Sequence, residues 1–307
     1  MKILLLGANG QVGFELHRSL APLGELVAAT RDGSLAGDDA CEQADLADPD
    51  GLRALVARVA PSWVVNAAAY TAVDAAEDAA PLAQALNGDA LAALGAAARD
   101  VGADVLHFST DYVFAGDARS AYREDDACAP VNAYGRSKLA GELALRESGA
   151  RHLVFRTAWV YSSRGRNFLL SMLKLAATRE RLGIVSDQLG APTPARLLAD
   201  VAAHAMTRAT AAGDGACWGT FHVTASGIAS WHDFACEIVA RAAAAGLLPR
   251  AVPIDPIASG DFPTRARRPA WSVLDCSRLE RVFGLVMPHW RCGVARCIAE
   301  IAAARSR

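Results

Sequence analysis

"KILLLGANGQVG", residues 2–13, runs an unbroken apolar stretch into glycines at positions 7, 10 and 13. A strand with one wet face alternates apolar and polar side chains. Residues 3–6 do not alternate, so both faces of the strand are covered, as in a parallel sheet flanked by helices. The glycines follow at once and open a helix over 11–22. Gly7 suits the tight turn that leaves the strand, because it carries no Cβ. Gly10 lets the backbone come close to a pyrophosphate, and Gly13 lets the new helix lie against the strand. An anion held there sits on the helix N-terminus, where free N–H groups and the helix dipole favour negative charge. The stretch reads as a dinucleotide site, with a purely structural tight turn as the bland alternative.

The same pattern continues outward. "ELVAAT" (25–30), "WVVNAA" (63–68), "ADVLHFS" (103–109) and "HLVFRTAWV" (152–160) predict further strands, with helices near 50–59, 81–101 and 133–148 between them. This order predicts an α/β protein, a Rossmann-type doubly wound parallel sheet whose ligands bind at the carboxyl ends of the strands. After about residue 160 the pattern loosens. A Pro/Gly loop, "DQLGAPTPA" (187–195), leads into the helix "RLLADVAAHAMTRA", and "FHVTASG" (221–227) reads as a short strand. "SWHDFACEIVARAAAAG" starts on Ser230 as N-cap, with Asp233 three residues on. The chain ends in an apolar helix over 291–304. We expect residues 1–160, continued by 194–222, to form an NAD(P)-binding domain. Residues 161–193 with 223–307 then form a smaller α/β substrate domain.

Bulk properties exclude other classes. A chain of 307 residues, 52% hydrophobic and 21% charged, is expected to be a soluble globular protein. Its formal net charge of −2 offers no electrostatic footprint for nucleic acid. No apolar stretch reaches the ~20 residues of a membrane span, and the first apolar run is cut by Gly-Ala-Asn-Gly, too early for a secretory signal. The expectation is a cytoplasmic protein with no membrane partner. Its seven cysteines form no C-x-x-C pair, which favours reduced thiols over zinc or disulfides.

The cofactor end is read from small motifs. The second strand ends in "AATRDG" (28–33), with Arg31 at the tip and Asp32 next to it. An acidic tip would bond the ribose hydroxyls of NAD, whereas Arg31 would pair with the 2′-phosphate of NADP. NADPH is therefore expected ahead of NADH, and Asp32 keeps NADH open. "ADL" (44–46) sets Asp45 and Leu46 beside the adenine, although helix capping by Asp48 explains the same stretch. Ala67, Ala68 and Ala69 put small residues at a strand end, where a flat cofactor needs a close approach to the backbone.

The chemistry lies in two further stretches. "STDYVFAG" (109–116) follows the fourth predicted strand and so opens on the ligand side. "NAYGRSK" (132–138) places Tyr134 and Lys138 four residues apart, on one face of a helix. A free tyrosine titrates near 10, and a drop of ~3 units corresponds to roughly 4 kcal/mol of differential stabilisation, within reach of a buried ammonium neighbour. The pair with Thr110 makes a reactive centre. Reduction, elimination and epimerisation all remain open on these residues alone.

Gly7, Gly10, Gly13, Thr110, Tyr134 and Lys138 together resemble the extended short-chain dehydrogenase/reductase superfamily. "NAAAYTAVDAAE", "STDYVFAG", "NAYGRSKLAGE", "FRTAWVY", "NFLLSMLKLA" and "DQLGAPT" narrow the resemblance to the dTDP-4-dehydrorhamnose reductase family, over essentially the whole chain. The resemblance implies NADPH-dependent reduction of the C4 keto group of dTDP-6-deoxy-L-lyxo-4-hexulose, the step that completes dTDP-L-rhamnose for surface polysaccharide. It assigns Tyr134 as general acid and Thr110 as hydrogen-bond partner of the C4 carbonyl. Lys138 holds the nicotinamide ribose and lowers the Tyr134 pKa. Asp111 binds the sugar, Trp159 lines the same pocket, and Gln11, Val12 and Ala67 to Ala69 touch the cofactor. Ser109 falls to backbone capping.

The resemblance also marks departures. Members of the family carry a magnesium ion held by glutamates at a dimer interface. Glu15 and Glu300 match two of those acids, but Arg196 takes the third position. A salt bridge is expected there in place of the metal, and a homodimer is left open. "TRARRP" (264–269) meets either the substrate diphosphate or solvent. Among the alternatives, a 4,6-dehydratase needs Thr-Asp-Glu where this chain has Thr110-Asp111-Tyr112, and a 4-epimerase favours an acidic second-strand tip. A reductase or epimerase of another 4-keto sugar nucleotide stays open. So does a non-catalytic role, as in the regulatory subunit of methionine adenosyltransferase.

Overall fold

The computed structural model describes residues 1–35, 40–212 and 215–305. In chain order its first part contains β1 (Lys2–Leu6), α1 (Gln11–Leu20), β2 (Glu25–Thr30), β3 (Cys41–Gln43), α2 (Pro49–Val59), β4 (Trp63–Asn66), α3 (Ala75–Asp78), α4 (Ala80–Gln84), α5 (Ala90–Val101), β5 (Asp104–Thr110), α6 (Ala133–Glu147) and β6 (His152–Thr157). There follow β7 (Val160–Tyr161), α7 (Phe168–Thr178), β8 (Leu182–Val185), β9 (Leu189–Gly190), β10 (Thr193–Pro194), α8 (Ala195–Ala212), β11 (Gly219–His222), β12 (Ala229–Ser230), α9 (Trp231–Ala244), β13 (Ile254–Ile257), α10 (Ser277–Phe283) and α11 (Trp290–Arg305).

Seven parallel strands form the main sheet in the order β11-β6-β5-β4-β1-β2-β3. The chain runs outward from β1 in one direction, then returns to β4 on its other side. That reversal opens a crevice at the carboxyl ends of β1 and β4. The unbroken apolar pattern of β1 has its cause here. Ile3 and Leu5 pack with Leu16, Leu20 and α8 on one face, while Leu4 and Leu6 pack with Leu52, Val56, Leu91 and Leu94 on the other. A further cluster, built from Tyr161, Leu169, Met172, Phe234, Ile238, Trp290 and Ile298, lies under α7, α9 and α11.

Four local features differ from the sequence expectation. The short strand β3 is polar and three residues long, and none of the expected strands covers it. The strand expected over 152–160 stops at Thr157, because Trp159 takes φ +48°, a left-handed conformation costly for a bulky side chain. The chain then resumes as β7 and pairs with β10. The helix expected over 81–101 is broken by a wider turn at Ala85–Asp89, which points Asn87 inward to bond Tyr70 and Ser137. The strand expected at 221–227 lies at Gly219–His222 and extends the main sheet. The Ser230–Asp233 capping box forms as expected. Among the described residues, no helix is long and apolar enough to cross a membrane.

Candidate active site

A cleft of about 690 Å³ runs along the carboxyl edge of the sheet. Gly7, Gly10, Gln11, Val12, Arg31, Asp45, Leu46, Ala67, Ala68, Ala69, Thr110, Asp111, Tyr134, Lys138 and Trp159 all line it. Gly13 alone of the expected residues does not. It is buried beneath the turn, where a Cβ would collide with the Gly7 carbonyl oxygen. Gly7 itself has φ +76°, and a Cβ there would lie 2.8 Å from Ala68 N. Helix α1 starts on Gly10 with no side-chain cap and no acidic residue in its first turn. Its free N–H groups therefore face the cleft uncompensated, which fits a dinucleotide pyrophosphate.

At the tip of β2, Asp32 turns back to accept from Thr30 Oγ1 at 3.1 Å and Ser34 N at 3.2 Å. Arg31 stands exposed on the cleft wall. Asp45 Oδ1 accepts from Ala47 N, and Asp48 caps α2 through Gly51 N. The two readings of that stretch are thus compatible: Asp48 caps and Asp45 lines the cleft.

Tyr134 and Lys138 reach the reactive end from the first turns of α6, whose N-cap Asn132 accepts from Gly135 N at 2.7 Å. Thr110 Oγ1 accepts from Tyr112 N at 3.2 Å and donates to Asp111 Oδ1 at 2.9 Å, and the Tyr134 hydroxyl faces Thr110. Lys138 Nζ donates to Phe108 O at 2.7 Å and lies 3.0 Å from His107 Nε2. Burial lowers Lys138 to about 7 and holds His107 well below its ordinary value. Burial also lifts Asp111 to about 7, and Asp111 Oδ2 and Thr157 Oγ1 are buried without hydrogen-bond partners.

Two expectations need correction. Burial raises the Tyr134 phenol above its ordinary range in the free protein; it is not lowered. In the free protein the Lys138 amine is directed at Phe108 O and His107. Ser109 does not cap backbone. Its hydroxyl donates to the buried Glu142, which is paired bidentately with Arg156.

Several cleft residues escaped the sequence reading. Trp231 stacks on Trp159 with ring centroids 3.7 Å apart and planes 8° from parallel. Its helix start was legible, but nothing in the sequence joined it to a loop some seventy residues earlier. Arg268 lines the cleft and forms a bidentate pair with Asp74, while Arg265 pairs with Asp78. The basic cluster at 264–269 is thus tied to α3 and the residue before it.

Arg196 lies between the two acids of the expected metal position. Its Nε is 3.2 Å from Glu15 Oε2 and its Nη1 2.5 Å from Glu300 Oε1. A guanidinium brings positive charge where a divalent cation needs a third oxygen, so these residues do not fit magnesium.

A parallel sheet of this order, with a glycine turn after β1 and a Tyr–Lys pair on the helix after β5, defines an extended short-chain dehydrogenase/reductase. The family model described as the RmlD substrate binding domain matches residues 1–303, and the chain belongs to that family. It is 50% identical to a dTDP-4-dehydrorhamnose reductase of Burkholderia thailandensis, over 98% of this chain and 99% of the relative. The structure of a dTDP-4-dehydrorhamnose reductase from Clostridium acetobutylicum superposes with a TM-score of 0.88 at 34% identity, covering 98% of this chain and 99% of that one. The Bacillus anthracis enzyme, solved in complex with NADP, gives 0.85 at 32% identity, covering 98% and 100%.

Proposed function

We propose that this protein reduces the C4 ketone of dTDP-4-dehydro-6-deoxy-L-mannose to dTDP-L-rhamnose with NADPH, NADH serving less well. The observation that carries the reading is the meeting of Thr110, Tyr134 and Lys138 in the one cleft whose far wall is the glycine turn. The relatives' names and the NADP-bound Bacillus anthracis enzyme support the choice of substrate and cofactor. When bound, the nicotinamide supplies the hydride. Gly7, Gly10, Gln11 and Val12 hold the pyrophosphate side, Arg31 the 2′-phosphate, Asp45 and Leu46 the adenine, and Ala67 to Ala69 the backbone-close face. Lys138 holds the nicotinamide ribose. Tyr134 keeps its proton at neutral pH, as burial dictates, and yields it to the C4 alkoxide. Asp111 and Trp159 orient the sugar.

In this reading residues 1–160 with 194–222 serve the cofactor, and 161–193 with 223–307 the sugar nucleotide. A cytoplasmic setting completes it, with a homodimer left open. The intact Thr110, Tyr134 and Lys138 speak against a merely regulatory role. Purified protein mixed with NADPH and freshly generated 4-keto sugar nucleotide should consume the reduced nicotinamide, followed by its absorbance. Turnover with a different 4-keto sugar but not this one would reassign the substrate. Tyr134→Phe should lower kcat by about 10²–10⁴-fold, with NADPH affinity nearly unchanged. Activity near the parent's would move the general acid elsewhere.

A further inference from the structure

Thr110 has one hydroxyl hydrogen and two uses for it. When Asp111 is ionised that hydrogen is donated to Asp111 Oδ1, 2.9 Å away, while Thr110 Oγ1 accepts from Tyr112 N. A hydroxyl committed to a carboxylate has nothing left to donate to a ketone, and the carboxylate is the stronger acceptor of the two. Asp111, however, is poorly placed to stay ionised. It is 2% exposed, and its Oδ2 is buried without a hydrogen-bond partner, the neighbouring Ser272 hydroxyl donating instead to Leu189 O. Desolvation of this kind penalises the charged form and favours the neutral acid.

We propose that Asp111 is a switch on Thr110. As the neutral acid it donates to Thr110 Oγ1 and turns the hydroxyl hydrogen toward the substrate ketone; as the carboxylate it takes that hydrogen and disarms the site. The inference rests on the reductase reading above. In the armed state both lone pairs of Thr110 are filled, by Tyr112 N–H and by Asp111 O–H. The Tyr134 hydroxyl then finds no acceptor on Thr110 and is left to the same ketone oxygen. Disarming releases the Asp111 carboxyl proton to solvent and reverses the hydrogen bond between the two side chains; in the armed state that proton stays on Asp111 and is not passed to the substrate.

The titratable groups that face Asp111 are Tyr112 on its own turn and Tyr134 on α6. The Arg268–Asp74 pair stands beyond Tyr112, and Lys138 lies deeper on α6. Asp111 is lifted to about 7, so the switch works in the physiological range.

The test is the pH profile of kcat/KM for the sugar nucleotide at saturating NADPH, where the pH dependence of cofactor binding drops out. It is measured for the parent and for Asp111→Asn, whose amide N–H donates to Thr110 at every pH. The parent should lose about tenfold per pH unit above ~7, the slope of one titrating group. The Asn variant, whatever its absolute rate, should lack that limb. A limb that survives in the variant at the same midpoint belongs to Lys138 or Tyr134 and overturns the switch, as does a parent profile without one. Infrared spectra of the parent, with and without isotope-labelled aspartate carboxyls, give a second reading that needs no variant. They should show a protonated carboxyl that titrates near neutrality, and its absence in mildly acidic solution overturns the proposal. No NADPH consumption at any pH would instead sink the substrate reading, with the infrared result still deciding on Asp111.

Discussion

Lys138 shows how hydrogen-bond polarity sets a charge. Ala68 N–H donates to Asn66 Oδ1, which fixes that amide with Nδ2 toward His107 Nδ1 at 3.2 Å. The imidazole hydrogen then sits on Nε2, facing Lys138 Nζ, which also loses its hydration to burial. An ammonium there would meet a donor, so the free protein holds a poised amine. The folded value, about 7, is below the ordinary lysine value of 10.5. An anionic dinucleotide restores the charge, so binding takes up a proton above pH 7. NADPH affinity, read by fluorescence quenching, should therefore fall as pH rises from about 7 toward 10. Lys138→Met should bind more weakly with a flat profile. A parent profile that is already flat would show that the ribose and phosphates do not sense this amine.

At the scale of elements, α6 must hold two reactive side chains against β5. Glu142, on its buried face, is paired with Arg156 of β6 and takes the Ser109 hydroxyl from β5, so one carboxylate ties the helix to two strands. Removing one partner of such a pair strands a buried charge, at a cost of about 3–5 kcal/mol. Arg156→Met should lose stability of that order in chemical denaturation, and pairing it with Glu142→Leu should recover most of the loss. Equal losses in the single and double variants would show that packing, not charge, holds the helix.

These cases mark what sequence makes legible. The glycine turn, the buried strands and the Tyr134–Lys138 face are local, since each follows from residues a few positions apart. The break at Trp159, the Trp159–Trp231 stack and the Ser109–Glu142–Arg156 tie depend on segments brought together only by the fold. Neither spacing nor composition encodes such partners. His107 read as one more strand residue for the same reason.

At the scale of the molecule, Arg196 of α8 joins Glu15 of α1 to Glu300 of α11 and so links the sheet's helical layer to the last helix. Arg18 adds a second contact to Glu15 at 3.3 Å, and Arg196 is 43% exposed. The network is therefore half-wet and contributes at most about 1 kcal/mol per pair. Its larger consequence is chemical, because the guanidinium occupies the charge position that a divalent ion would otherwise fill. The melting temperature of this protein should not respond to millimolar magnesium or to a chelator. Arg196→Glu should reverse this. Three carboxylates would then face one another, destabilising the metal-free protein by like-charge repulsion and offering magnesium the all-oxygen set it prefers. The variant should melt lower than the parent in chelator and regain stability on adding magnesium, by the mass action of a ligand that binds only the folded state. A rise in the parent's melting temperature with magnesium would mean that Glu15 and Glu300 bind the ion despite Arg196. A variant indifferent to magnesium would mean that the three side chains do not converge closely enough to hold one.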